Sequence, residues 1–165
     1  MEKKVHMEVE FKFKMTPQIL YDFNLQHSYK RADAIIATGL GVFLIFGYFK
    51  TMHLMYLIFA IALILFLPVT LYIRSAQMVK LNPAYKDELK YVLSEEGVKI
   101  SSGELETTVS WDTCTKAVGT RMNIIVYTGK ATAFIWPRKA MEGKTDDVLK
   151  LISANMDPSK VKIRF

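Results

Sequence analysis

Apolar and polar positions divide the chain into three stretches with different periods. From Val5 to Lys14, Val5, Met7, Val9, Phe11 and Phe13 alternate with His6, Glu8, Glu10, Lys12 and Lys14. That period of two predicts a strand with one apolar and one charged face, which needs a sheet to complete it. From Ala34 to Ile73 the alternation gives way to an almost unbroken apolar block, AIIATGLGVFLIFGYF, then KTMH, then LMYLIFAIALILFLPVTLYI. After Arg74 short alternating runs return between glycine-containing turns, and from Thr145 the period becomes helical.

The block predicts a transmembrane helical hairpin, with helices over 34–49 and 54–73. The second run carries about thirteen Leu, Ile, Val and Phe and no charge, so its insertion is favoured by about 5 kcal/mol. At 1.5 Å per residue it spans roughly 30 Å, the thickness of the hydrocarbon core, and the first run roughly 24 Å. Lys30, Arg31 and Lys50 at the ends of the shorter helix can snorkel to complete it. Four residues, Lys50 to His53, join the runs, so the helices are antiparallel neighbours. Ala37 and Gly41, four apart, let a second helix approach closely. Pro68 lies near the end of the second run, where it bends the exit more than it breaks the span.

Before the block, Met15-Thr16-Pro17 predicts a helix start, with Thr16 as cap and Pro17 at the first helical position. Ile19, Leu20, Phe23 and His27 share one face of that helix, which lies either on the soluble domain or at the bilayer surface. After the block, Tyr91 and Leu93 run into Glu95-Glu96-Gly97, and Val98 and Ile100 run out of it, a hairpin with Gly97 at positive φ. Thr107, Val109 and Trp111 share a strand face, residues 115–120 form another strand, and Asn123 to Tyr127 pairs with Ala131 to Trp136 until Pro137 ends the ladder. Val148, Leu149, Leu151, Ile152 and Met156 fall at helical spacing, with Thr145 as cap, Asp146 and Asp147 at the positive end of the dipole and Pro158 as stop. Val161, Ile163 and Phe165 alternate again and are expected to dock as a strand near the N-terminal one. Antiparallel strands followed by one amphipathic helix are the order of a pleckstrin-homology-like (PH-like) barrel, an α+β, mostly β domain.

The expected organisation is therefore 1–33, a cytoplasmic strand and short helix; 34–73, the membrane hairpin; and 74–165, a cytoplasmic PH-like domain whose first residues, 74–90, act as a tether. The net charge of +6 is explained first by topology. Lys14, Lys30 and Arg31 precede the block, Arg74, Lys80, Lys86 and Lys90 follow it, and only Lys50 lies in the connecting loop, so both termini are expected in the cytoplasm. Nucleic acid is not an expected partner. Residues 1–4 lead straight into the alternating stretch with no apolar core of a signal peptide, so none is expected to be cleaved. The single cysteine, Cys114, has no internal partner for a disulfide, which fits a reducing compartment.

Catalytic chemistry finds no residues to stand on. His6, His27 and His53 are dispersed, so no metal site is assigned, and the glycines match no phosphate or dinucleotide loop, so no cofactor is expected. Glu95-Glu96 and Asp146-Asp147 are accounted for by a turn and a helix start. The hairpin carries no buried acid or ion pair that would mark a transport path. Trp111 is expected in the core. Trp136, Arg138, Lys139 and Lys144 are the candidate contacts for lipid or a partner, because an aromatic-basic step suits anionic headgroups at about 1 kcal/mol per basic residue. Lys80 and Lys86 extend that surface. The acidic turn Glu95-Glu96-Gly97 stands where phosphoinositide-binding PH domains are basic, so headgroup recognition of that kind is not expected.

Phe23-Asn24, Tyr91-Val92-Leu93, Glu95-Glu96-Gly97, Trp111 and Ile135-Trp136-Pro137-Arg138-Lys139 occur in the order found in YcxB-like proteins, and the chain resembles that bacterial membrane family over nearly its whole length. The resemblance implies a two-helix membrane hairpin, a soluble C-terminal domain and no catalytic residues. The expected function is a non-enzymatic binding module anchored in the inner (cytoplasmic) membrane as a multi-pass protein, with the bilayer, anionic headgroups and a protein partner as binding partners and homo-oligomerisation open. The alternatives are an immunity or envelope-stress protein that protects the membrane and, behind it, a membrane enzyme.

Overall fold

The computed structural model describes residues 7–28, 32–129 and 132–163. The order of elements is β1 (Val9–Lys14), α1 (Pro17–Ser28), α2 (Ala32–Thr51), α3 (Leu54–Leu81), β2 (Glu88–Leu93), β3 (Val98–Ser102), β4 (Leu105–Val109), β5 (Lys116–Gly119), β6 (Asn123–Tyr127), β7 (Ala133–Pro137), α4 (Thr145–Asn155) and β8 (Val161–Lys162). The strands form two four-stranded sheets, β1-β2-β3-β4 and β7-β6-β5-β8. Every pairing is antiparallel except β5 with β8.

The N-terminal alternation does what its period requires. Val9 and Phe11 are buried while Glu10, Lys12 and Lys14 are exposed. The partner is β2, reached only after the two long helices, in a register from Val9 opposite Leu93 to Lys14 opposite Glu88. Val5, His6, Lys30, Arg31, Lys130, Ala131, Arg164 and Phe165 lie outside the described residues.

Both sheets contribute to one core. Phe11, Tyr91, Leu93 and Val98 from the first meet Ala117, Ile124, Val126 and Trp136 from the second, with Val148, Leu151 and Ile152 of α4 closing it. The opposite face of the second sheet is also covered: Val118, Ile125 and Tyr127 pack together, with Phe23 of α1 against them. Residues of β6 are consequently buried on both faces, Asn123 through Tyr127 without exception. The shared face of α1 thus lies on the domain, and the other side of α1 lies on α3, where Tyr21 meets Tyr72 edge-on and Asn24 Nδ2 donates to Ser75 Oγ at 2.9 Å. α1 is a wedge between the β domain and the long helix.

Helices α2 and α3 run antiparallel, joined by Met52 and His53. Glycines make the close approach: a Cβ on Gly41 would stand 2.7 Å from Ile64 Cγ1, and one on Gly47 would stand 3.2 Å from the Tyr56 ring. α3 is long and apolar enough to cross a membrane, and only 11% of its most apolar window is buried. A core helix of a soluble protein would be mostly covered.

Several expectations are corrected. The second helix does not end at Ile73 but continues to Leu81, so most of the expected tether is rigid helix. No Gly or Pro interrupts 74–82, Ser75 is fully buried against α1, and Asn82 with Pro83 finally stops the helix, the Asn82 side chain accepting from Ala84 N. Trp111 is in the core as expected, but in a short 3-10 turn instead of a strand, its indole N–H donating to the Ser94 carbonyl at 2.8 Å. Thr145 does not cap α4; it is the first helical residue, and its hydroxyl donates to the Met141 carbonyl. The tail pairs with β5 in the second sheet, not beside β1. Gly119 permits this, since a Cβ there would meet Ile163 Cγ2 at 2.9 Å.

Candidate functional site

The four candidate contacts separate in space. Trp136 is corrected outright: it is fully buried, stacked on Phe134 at 6.0 Å and edge-on to Phe11 and Tyr91. In β7 positions 134 and 136 alternate with position 135, and Pro137 closes the strand, so the indole points into the core between the two sheets. Lys144 stands apart as well, its ammonium donating to the Glu10 carbonyl of β1 at 2.6 Å. Arg138 and Lys139 remain together, at the mouth of a cleft.

That cleft, about 660 Å³, is bounded by the end of β1 (Lys12, Phe13), the start of α1 (Thr16, Gln18, Ile19), the β5–β6 turn (Arg121, Met122, Asn123) and the segment after β7 (Pro137 to Ala140). Local sequence builds each wall. Thr16 turns the chain from strand to helix, with Ile19 N donating to its Oγ1 at 3.4 Å. The β5–β6 turn is tied to α1 by a polar latch in which Asp22 Oδ2 accepts from Thr120 Oγ1 and from Asn123 Nδ2, both at 2.6 Å. Asn123 is fully buried and also donates to the Ile19 carbonyl. Arg138 crosses to the same turn, its Nε donating to the Thr120 carbonyl at 3.0 Å and its backbone N–H to the Met122 carbonyl at 2.9 Å.

The described lining carries four basic side chains and no acidic one. Lys12 is paired with Glu88 at 3.4 Å, and both are largely exposed, so that pair contributes little. Arg121 and Lys139 are exposed and have no carboxylate partner among the described residues. Phe13, Ile19, Met122, Pro137 and Ala140 supply apolar lining, with Met122 exposed. Such a site can hold an anionic, partly apolar group.

Arg121 and Lys12 were missed in sequence. Arg121 occupies a three-residue turn between two strands, and Lys12 belongs to the charged face of a strand, so neither stands in a motif. The only signal was the basic turn Thr120-Arg121-Met122 facing a second basic step at 138–139 across a hairpin. Lys80 and Lys86 are exposed but do not line the cleft. Elsewhere, burial pushes the Cys114 thiol up from its ordinary value, as for a packed side chain and not a reactive one.

Comparison with known proteins defines the class of this region. Residues 93–152 match the family described as YcxB-like protein. The resemblance is thereby shown for the stretch from β2 to α4, which contains Glu95-Glu96-Gly97, Trp111 and Ile135 to Lys139; Phe23-Asn24 and Tyr91 lie outside it. No curated protein and no solved structure matches the chain.

Proposed function

We propose that the chain is a two-pass protein of the cytoplasmic membrane that holds a PH-like, non-enzymatic binding domain against the inner face of the bilayer. The observation that carries this is the pairing of β1 with β2. One strand precedes the two long helices and the other follows them, yet they share a sheet along six rungs. A chain whose ends meet in one sheet crosses a membrane an even number of times. If α3 crosses, α2 crosses back.

Exposure supports the crossing. Phe43, Phe46 and Phe49 on α2 and Phe59, Leu65 and Phe66 on α3 are all exposed, an apolar surface far beyond what a soluble protein leaves open. The sign of the flanking charge supports the orientation, with Arg74, Lys80, Lys86 and Lys90 on the domain side and Lys50 alone near the link. Four strands, then three, then a closing helix support the PH-like description of the domain. Binding as the mode of action is supported by the basic cleft with its apolar lining.

The test is extraction of membranes with alkaline carbonate. The full chain is expected to stay in the pellet and to leave it only with detergent. Release into the supernatant would overturn the membrane-spanning reading.

A further inference from the structure

We infer that the cleft between β1, the start of α1 and the β7 exit seats the phosphate of an anionic phospholipid from the leaflet next to the domain. The inference rests on the two-pass reading and adds to it a ligand class and a site. Position comes first. Gln18 and Ile19, which line the cleft, lie within one turn of Tyr21, about 4.5 Å or less along the helix axis. Tyr21 packs on Tyr72, next to the last residue of the apolar stretch of α3. The cleft therefore opens near the depth where the long helix passes from hydrocarbon to headgroups.

Charge and shape agree with that depth. Arg121 and Lys139 reach the cleft from two different loops without an acidic partner among the described residues, and Arg138 Nε is held by the Thr120 carbonyl. Arginine presents a fork of donors that matches two phosphate oxygens, and lysine adds a point charge. Phe13 and Ile19, partly buried, and exposed Met122 line the cleft with apolar surface, which suits the glycerol backbone and first methylenes of a lipid better than a free, fully hydrated phosphate. The walls are fixed in advance by the Asp22, Thr120 and Asn123 latch, so binding orders little new structure.

The experiment uses the full chain in nanodiscs of phosphatidylcholine alone or with phosphatidylglycerol, and follows amide hydrogen exchange. Phosphatidylglycerol is expected to slow exchange at 121–123 and 138–140, and Arg121→Gln with Lys139→Gln to reverse the slowing by about fivefold per residue removed. Lys150→Gln with Lys160→Gln, exposed lysines outside the cleft, is the control for nonspecific attraction. Slowing confined to anionic discs and lost only in the first pair supports the inference. Equal loss in both pairs, no slowing in anionic discs, or slowing by inorganic phosphate added to neutral discs would each overturn it. Exchange over 54–73 separates the two readings: protected there but not at the cleft, the lipid site alone fails; unprotected there, the two-pass reading fails and takes the site with it.

Discussion

At the scale of single residues, Trp136 shows how far a motif can mislead. Trp-Pro-Arg-Lys reads as a surface step, yet its first member is fully buried and the cleft begins only at Pro137. Sequence gives no period over a stretch as apolar as Ala133-Phe134-Ile135-Trp136, because both faces of β7 are covered. Trp136→Ala is expected to destabilise the domain by about 3–5 kcal/mol, seen as a lower melting temperature of the detergent-solubilised protein, whereas exposed Arg121→Ala should stay within about 0.5 kcal/mol. The indole N–H has no protein partner among the described residues, so Trp136→Phe should cost much less than Trp136→Ala. Tyr91, edge-on to it, is pushed well above the usual phenol range by burial and, secondarily, by Tyr85. Cys114 titrates in the same sense: its neutral thiol is favoured by the fold, so the stability it contributes is complete below the unfolded thiol's pKa and is lost as pH rises through the folded value. Alkylation of Cys114 at mildly alkaline pH should be at least roughly tenfold slower in the native protein than in urea. Equal rates would mean that the thiol is neither buried nor perturbed.

Among the elements, the amphipathic ones were legible and the doubly covered ones were not. The alternation in β1, the apolar face of α4 and the turn at Glu95-Glu96-Gly97 follow from their patterns. Gly97 matters there less for its backbone angle than for space, since a Cβ would stand 2.5 Å from the Val109 carbonyl oxygen. The length of α3 was not legible, because hydropathy falls at Arg74 whereas helicity persists to Leu81, held by Ser75 against Asn24. Ser75→Leu should break that hydrogen bond and crowd α1; a loss of about 2 kcal/mol corresponds to roughly thirtyfold faster amide exchange in α1. Unchanged exchange would mean that α1 is held by the β domain alone. The glycines of α2 give a paired test. Gly41→Leu would collide with Ile64 and the Ala60 carbonyl, whereas a Cβ at Gly39 meets nothing within 4 Å. Gly41→Leu is expected to lower thermal stability in detergent and Gly39→Leu to leave it unchanged; equal effects would contradict the packing of α2 on α3.

For the whole molecule the decisive feature is that the sheet closes across the helices. Sequence showed a strand in need of a partner, but β1 and β2 are separated by more than seventy residues, from Lys14 to Glu88, and no local pattern announces a pairing over that distance. Once paired, they bring the two ends of the helical hairpin back to one sheet, and α1 clamps the domain to the C-terminal part of α3. Domain and long helices are thus joined by a stem, and on the two-pass reading we propose, a ligand held in the cleft would report on the headgroup layer. The most direct measurement of this account is two-sided cysteine labelling in intact cells. With Cys114 replaced by Ser, a membrane-impermeant maleimide should label Thr51→Cys, at the link between the helices, without lysis, and should label Lys116→Cys, on the domain, only after lysis. Labelling of Lys116→Cys in intact cells, or protection of Thr51→Cys until lysis, would contradict the two-pass topology.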